Sequence, residues 1–281
     1  MFLSMLTILK QNLLRVLHAL FYHGRLDSTG NTLQPRGFNK ITSRFNQYLI
    51  ENGRSPRWVW SAEACRTFWG SDVNKSVNPN DPQHYSEKST RLIETNPLIY
   101  FLHEFWQPYI QTDCSLMELG CNCGANLEIL RKLGYRNLAG VEINRDAIEL
   151  MSRLFPELYG EVSIEVGSLE DTLPELATDS IDVVFSVAVL MHLHPASHNL
   201  FSEIVRVARQ HIVVVEPEFG NCDYVFSRNY RRVFQRLGCV QLSAMKIGID
   251  PTPEVLRDHH GSMVRFFAAP NFQRALAGNS H

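Results

Sequence analysis

The chain reads as an α/β protein: a doubly wound, mostly parallel seven-stranded sheet with helices on both faces, preceded by an N-terminal helical cap. Three observations predict it. From about residue 85 onward, short apolar strands alternate with segments of helical period, the pattern of a parallel sheet covered on both faces. The strand "DVVFSVAVL" is apolar almost throughout, too continuous for a strand with one face in water. The stretch "LMELGCNCGANLEIL" runs from an apolar strand through a turn bracketed by Gly120 and Gly124 into a helix, and ligands of such sheets bind at the carboxyl ends of the strands.

The elements follow in order. "MFLSMLTILKQNLLRVLHALFYHGR" is apolar, but Lys10, Gln11, Asn12 and Arg15 interrupt it, so it holds no run of roughly 18 apolar residues that would suggest a spanning helix. It lacks a charged region before its apolar part and a small-residue cleavage site. An amphipathic helix fits, packed on the domain or lying on a membrane or a partner protein through residues 1–24. Residues 26–56 are rich in turn formers around one helical patch, "ITSRFNQYLIEN"; "PRWVWSAEACRTFWG" is dense in aromatics; "SDVNKSVNPNDPQHYSEKS" reads as a loop. The division expected is a cap over residues 1–84 and a main domain over residues 85–281.

In the main domain "STRLIETNPLIYFLHEFWQPYI" reads as helix and "SLMEL" as the first strand. "NLEILRKLG" is a helix ended by Gly134, suited to a left-handed cap. "NLAGVEI" is strand, "RDAIELMSRLF" is helix stopped before Pro156, and "VSIEVG" and "DVVFSVAVL" are strands. "ASHNLFSEIVRVAR" carries an apolar stripe at Leu200, Phe201, Ile204, Val205 and Ala208. "HIVVVEPE" is strand, "FSRNYRRVFQRLG" is helix, and "VQLSAMKI" and "MVRFFAA" are late strands whose poorly helical connection suggests antiparallel pairing at the sheet edge.

Composition narrows the function. A net charge of -2 gives no strong pull toward nucleic acid or acidic lipid. Residues 1–80 hold ten Lys/Arg against four Asp/Glu, a basic front that can face the acidic remainder of its own chain. The six cysteines form no metal-ligand pattern: Cys65, Cys114, Cys222 and Cys239 are scattered, and Cys121 and Cys123 share one tight loop. Reduced thiols in a cytoplasmic compartment are the expectation, with no metal.

The glycine turn selects the cofactor class. A dinucleotide site wants G-x-G-x-x-G, with amides approaching a pyrophosphate. Here Asn122 stands at the middle glycine, and Ala125 follows Gly124. Glu118, at the strand end, would repel a pyrophosphate and suits a cationic amino group. Glu142 ends the second strand, where a carboxylate can accept both hydroxyls of an unphosphorylated ribose. A ribose, an ammonium group and no phosphates describe S-adenosylmethionine. A strand-end acid in that position is not expected to carry core packing.

At these residues the chain resembles a family. "MELGCNCGANLEIL", "GVEINRDAIELM", "VGSLEDTLP", "DVVFSVAVLMHLHP" and "HIVVVEPE" are similar to the ordered motifs of the class I S-adenosylmethionine-dependent methyltransferases over about residues 85–270. More loosely, the wording is similar to small-molecule methyltransferases of nonulosonic-acid sugar pathways such as pseudaminic acid. The resemblance implies that Glu118, Gly120, Asn122 and Gly124 line the methionine half of the cofactor and that Glu142 holds the ribose. It implies that Ser168 and Leu169 flank the adenine and that Val187 offers its backbone. Serine at position 168, where many members have aspartate, leaves Glu170 or Asp171 to take the adenine amino group. Tyr85 and Arg91 would close over the cofactor carboxylate.

Methyl transfer from a sulfonium is an in-line displacement that asks the protein for alignment and exclusion of water. A hydroxyl acceptor also needs a base. His192 and His194 of "LMHLHP" lie where an acceptor would come, and either serves as base or as a packing residue of the turn. Glu216 and Glu218 could bind a polar acceptor or pair with Arg228, Arg231 or Arg232. Trp58, Trp60, Phe68 and Trp69 form either a lid over the acceptor or the core of the cap. The reading is a methyltransferase acting on a small-molecule acceptor, such as a sugar or another biosynthetic intermediate. An RNA or protein methyltransferase ranks below it, since no RNA-binding module and no overall basic charge is present, and a non-catalytic binder of the cofactor or of a partner ranks last. An open pocket near His192 would favour the enzyme and a plugged one the binder.

Overall fold

A computed structural model of the chain describes residues 39–55, 59–70, 97–222, 224–247 and 261–273. Residues 1–24, Tyr85, Arg91, Trp58 and the boundary between residues 84 and 85 lie outside the described residues.

The main sheet has seven strands: β1 (Ser115–Leu119), β2 (Asn137–Glu142), β3 (Ser163–Val166), β4 (Ile181–Val187), β5 (Ala208–Pro217), β8 (Val240–Lys246) and β9 (Ser262–Ala268). A separate pair, β6 (Asn221–Cys222) and β7 (Val225–Phe226), forms a two-stranded ribbon. The sheet order is β3-β2-β1-β4-β5-β9-β8. Strands β1 to β5 run parallel, and β9 lies antiparallel between β5 and β8. The late strands thus pair antiparallel as expected, with β8 alone at the edge. The order reverses between β1 and β4, where Leu119 pairs with Ser186, and a crevice opens at the carboxyl ends of strands at such a point.

The helices are α1 (Asn39–Glu51), α2 (Ala62–Gly70), α3 (Pro97–Trp106), α4 (Ala125–Lys132), α5 (Arg145–Leu154), α6 (Pro156–Glu161), α7 (Leu169–Thr172), α8 (Leu200–Val207) and α9 (Tyr230–Arg236). One face of the sheet buries Leu116, Leu138, Val183, Phe185 and Val213 under Leu98, Leu102 and Trp106 of α3, Leu130 of α4 and Met151 of α5. The other buries Met117, Leu119, Val184, Ile212 and Val214 under Leu200, Phe201 and Ile204 of α8 and Val233 and Phe234 of α9. This double covering is why the central strands read as continuous apolar runs.

Several elements differ from the sequence reading: Ala208, expected on the stripe of α8, opens β5, and Phe226, expected in a helix, lies in β7. The strand in "DVVFSVAVL" stops at Val187, because Ala188 takes φ 55° and the chain enters a 3-10 turn at Leu190–His192. The extra helix α6 starts at Pro156 itself, a residue suited to the first helical turn. The described part of the cap, α1 and α2, covers the carboxyl end of the sheet through Ile50, Cys65 and Phe226. The side chain of Glu51, 1% exposed, accepts from Asn229 N at 2.9 Å and from Arg232 Nη1 at 3.2 Å.

Candidate functional site

At the reversal of strand order a cleft encloses about 1000 Å3 of empty space, solvent at its mouth included. The turns after β1, β2, β3 and β4 line it with Gly120 and Asn122, Glu142 to Asn144, Gly167 to Glu170, and Val187 to Val189, and the wall is completed by His192, His194 and the inner side of α2.

The glycine turn is built by sterics. Gly120 has φ 70°, and a Cβ there would stand 2.5 Å from Val189 Cγ2. Asn122 adopts φ 48° and accepts from Cys123 N through its own Oδ1 at 2.7 Å, a local bond that makes asparagine tolerable in the left-handed region. Gly124 lies outside the cleft lining. It has φ 77°, and a Cβ there would come within 2.5 Å of Met151 Cε. Its positive φ and the close approach of Met151 and Leu158 give glycine a structural reason at this position, beside the ligand role the resemblance implies. Cys121 is buried, and its Sγ lies where a Cβ on Gly140 of β2 would fall, 2.7 Å away.

Glu118 is 2% exposed and also outside the cleft lining. Its Oε1 accepts from Asn126 Nδ2 at 2.6 Å, while Oε2 is buried without a partner. Burial pushes its carboxyl up to about 8; the bond from Asn126 opposes the shift and the nearby Glu142 adds to it. Glu142 does more than end a strand. Its Oε2 accepts from Asn122 N and its Oε1 from Asn144 N, both at 2.8 Å, so it ties the turn after β1 to the turn after β2. A carboxylate has about four acceptor sites, so acceptor capacity remains for a ligand.

The Ser168 hydroxyl is already committed. It caps α7 by accepting from Asp171 N at 3.2 Å and donates to Asp171 Oδ2 at 2.7 Å. This engages Ser168 and Asp171 with each other and leaves Glu170 as the other acid offered to the adenine amino group. Glu170 lines the cleft and takes one bond, from Ser197 Oγ at 2.7 Å. Leu169 is buried on the wall, and Val187 stands at the end of β4.

The two histidines separate chemically. His194 uses both ring nitrogens: Nδ1 accepts from Ala196 N at 3.1 Å, and Nε2 lies 3.2 Å from Ser55 Oγ. It is a turn cap bonded to the segment after α1. His192 has Nδ1 at 3.2 Å from the Tyr224 carbonyl oxygen. A carbonyl only accepts, so Nδ1 carries the proton and Nε2 keeps a lone pair. Burial holds the ring well below its ordinary value, at about 4, against the opposing bond to Tyr224. The ring is therefore neutral at physiological pH. It packs on Trp69 with centroids 4.1 Å apart.

The turn that carries His192 is clamped from both ends. Glu216, fully buried, accepts from Val189 N, Leu190 N and Met191 N at 2.9, 2.9 and 3.2 Å and from Ser186 Oγ at 2.7 Å. Arg228, also fully buried, donates to the Leu190, Leu193 and Phe226 carbonyls at 3.2, 2.7 and 2.9 Å. The expected pairing of Glu216 or Glu218 with Arg228, Arg231 or Arg232 is corrected. Glu216 binds backbone amides, and Glu218 binds Arg265 through two bonds of 2.7 Å, because β9 inserts beside β5 and brings Arg265 there. The signal for Glu216 was its place at the end of a central strand. Its role as an amide acceptor needed the turn's conformation.

Among the described residues, no group of three or more His, Cys, Asp or Glu could hold a metal ion, and no helix is long and apolar enough to cross a membrane. Residues 117–214 match the family described as a methyltransferase domain. A chain in the complex between the Haloferax volcanii Trm112 methyltransferase activator and a methyltransferase superposes with a TM-score of 0.52 at 15% identity, over 67% of this chain and 95% of that one. The [4+2]-cyclase SpnF superposes with a TM-score of 0.51 at 12% identity, over 62% of this chain and 81% of that one. At these identities the likeness carries the fold alone, and unlike activities can share it. No curated protein matches the chain.

Proposed function

We propose that this chain, a class I S-adenosylmethionine-dependent methyltransferase, methylates a hydroxyl of a small-molecule acceptor with His192 as the base. The observation that carries the proposal is the His192 tautomer: a neutral ring with Nδ1–H spent on the Tyr224 carbonyl and Nε2 free, on the wall of the cleft that holds Glu142. The cap supports a small acceptor, since α2 forms one side of that cleft.

The residues present fit the cofactor. Glu142 keeps acceptor capacity for the ribose hydroxyls beside Gly120 and Asn122. Leu169 would pack against the adenine, Glu170 would take its amino group, and Val187 would border the cofactor with its backbone. The buried, unpartnered Oε2 of Glu118 awaits a donor such as the ammonium of the methionine half. When bound, the cofactor supplies an activated methyl on a sulfonium, which becomes a neutral thioether as the C–S bond breaks and the acceptor oxygen gains the methyl. His192 Nε2 takes the hydroxyl proton as that oxygen attacks. Glu216 and Arg228 hold its turn rigid, so the ring need not reorganise during the reaction.

The experiment is transfer from methyl-tritiated S-adenosylmethionine into a cell extract, with products separated by size. Label is expected in the small-molecule fraction. Label confined to protein or RNA would replace the acceptor class.

Glu118 makes a second expectation. With its carboxyl at about 8 in the free protein, it is mostly protonated at pH 7, and binding an ammonium ionises it. S-adenosylhomocysteine binding at pH 7 should thus release about one proton, seen by calorimetry in buffers of different ionisation enthalpy. The same group makes the free protein less stable as pH rises. Both states are protonated below about 4.5, the unfolded chain alone ionises between there and about 8, and the penalty is constant above. Glu118→Gln should raise the stability of the free protein by about 1–3 kcal/mol at pH 7, with no gain at pH 4, and weaken binding at least tenfold. Binding without proton exchange would remove Glu118 from the site.

A further inference from the structure

The inner face of α2 does more than wall the cleft. Ala62, Cys65, Arg66 and Trp69 line it, spaced i, i+3, i+4, i+7, so they form one stripe of the helix. Two members of that stripe carry unmet donors. Arg66 is exposed at the cleft and makes no ion pair among the described residues. Among the described residues it is also the only Lys or Arg on the lining. The indole Nε1 of Trp69 is buried without an acceptor, and its ring touches that of His192. A buried N–H without an acceptor is unfavourable, and a ligand oxygen would relieve it. The carboxylates on the same lining are engaged elsewhere, Glu142 by Asn122 N and Asn144 N and Glu170 by Ser197. Among the described residues no protein anion answers Arg66.

We infer that Arg66 and Trp69 form the acceptor subsite, and that the acceptor is a small hydroxylated molecule bearing an anionic group, carboxylate or phosphate, near the hydroxyl that is methylated. The planar guanidinium takes two oxygens of the anion as a fork. The indole N–H takes a further oxygen, and the contact between Trp69 and His192 sets the hydroxyl beside Nε2. The anion itself is unchanged by the reaction. This assignment rests on the proposed methyl transfer at His192.

The test uses the full chain, methyl-tritiated S-adenosylmethionine and the small-molecule fraction of a cell extract, with products separated on an anion-exchange resin at neutral pH. Label is expected to be retained. Pretreating the extract with a phosphatase abolishes it for a phosphate acceptor and leaves it for a carboxylate. Arg66→Gln should lower transfer into the retained fraction by roughly 10- to 100-fold. Arg66→Lys should keep part of it, and Trp69→Phe, which preserves the ring, should lower it several-fold. S-adenosylhomocysteine affinity should stay within about threefold of the parent in all three. Label in neutral or macromolecular products overturns the anionic class. An Arg66→Gln protein that loses cofactor affinity tenfold shows that these donors read the cofactor, and overturns the subsite. Full transfer by a His192→Gln protein, with a retained and Arg66-dependent product, would remove the base and keep the subsite.

Discussion

Replacing His192 by alanine is expected to lower the rate of methyl transfer by about 10²–10⁴-fold, the usual worth of a positioned general base, while S-adenosylhomocysteine binds as before. The expectation follows from the ring's surroundings. Its Nδ1–H is spent on the Tyr224 carbonyl, so substitution removes the Nε2 lone pair without touching a cofactor contact. The pH profile gives the sharper reading. Burial holds the ring at about 4, and only the neutral form accepts a proton, so the base is competent above that value. The pH profile of kcat/KM, which reports the free enzyme, should be level from pH 6 upward and fall as pH drops through about 4 in a protein that stays folded. A base with an ordinary histidine value near 6.5 would instead lose half its activity there. Undiminished transfer by a folded His192→Ala protein would leave the turn a packing feature.

Substitution of Glu142 should weaken S-adenosylmethionine binding by roughly 2–4 kcal/mol, or about 30- to 1000-fold, for alanine. Two charge-assisted bonds to ribose hydroxyls would be lost. The structure adds a second cost: Asn122 N and Asn144 N lose their acceptor, so the free protein should be destabilised as well, by about 1–3 kcal/mol for each amide left unsolvated. Glu142→Gln separates the two effects. Its amide oxygen still accepts while the charge and one acceptor are gone, so both affinity and melting temperature should fall between parent and alanine. Calorimetric titration together with thermal unfolding reads both quantities. An unchanged affinity in folded Glu142→Ala would place the cofactor elsewhere.

The sheet was legible because both of its faces are buried, which writes its strands as apolar runs between helical stripes. The places of Glu118, Gly120 and Glu142 at successive strand ends were legible because turn geometry constrains residue type there. Other features lay beyond local pattern. Glu218 and Arg265 are 47 residues apart, and only the insertion of β9 joins them. Gly124 looks like a ligand-loop glycine, and its left-handed backbone and the nearness of Met151 and Leu158 add a packing reason that no local pattern shows. Ser168 stands where the resemblance implies an adenine contact, yet its hydroxyl closes on Asp171, a local competition that the letters alone do not decide. The stripe of α2 could be read as helical from its spacing; that it faces a cleft rather than a core depends on how the cap sits over the sheet.

One contact bears on how such a sequence can drift. The sulfur of Cys121 occupies the space that a side chain on Gly140 would need. The turn after β1 can thus carry a thiol where a plain glycine-rich loop would not, because the neighbouring strand is hollowed opposite it. Positions 121 and 140 share a single volume, so any enlargement of one must be matched by a reduction of the other. In lineages that share this sheet the two letters should covary, and a bulkier residue in β2 should be found where the turn has reverted to glycine.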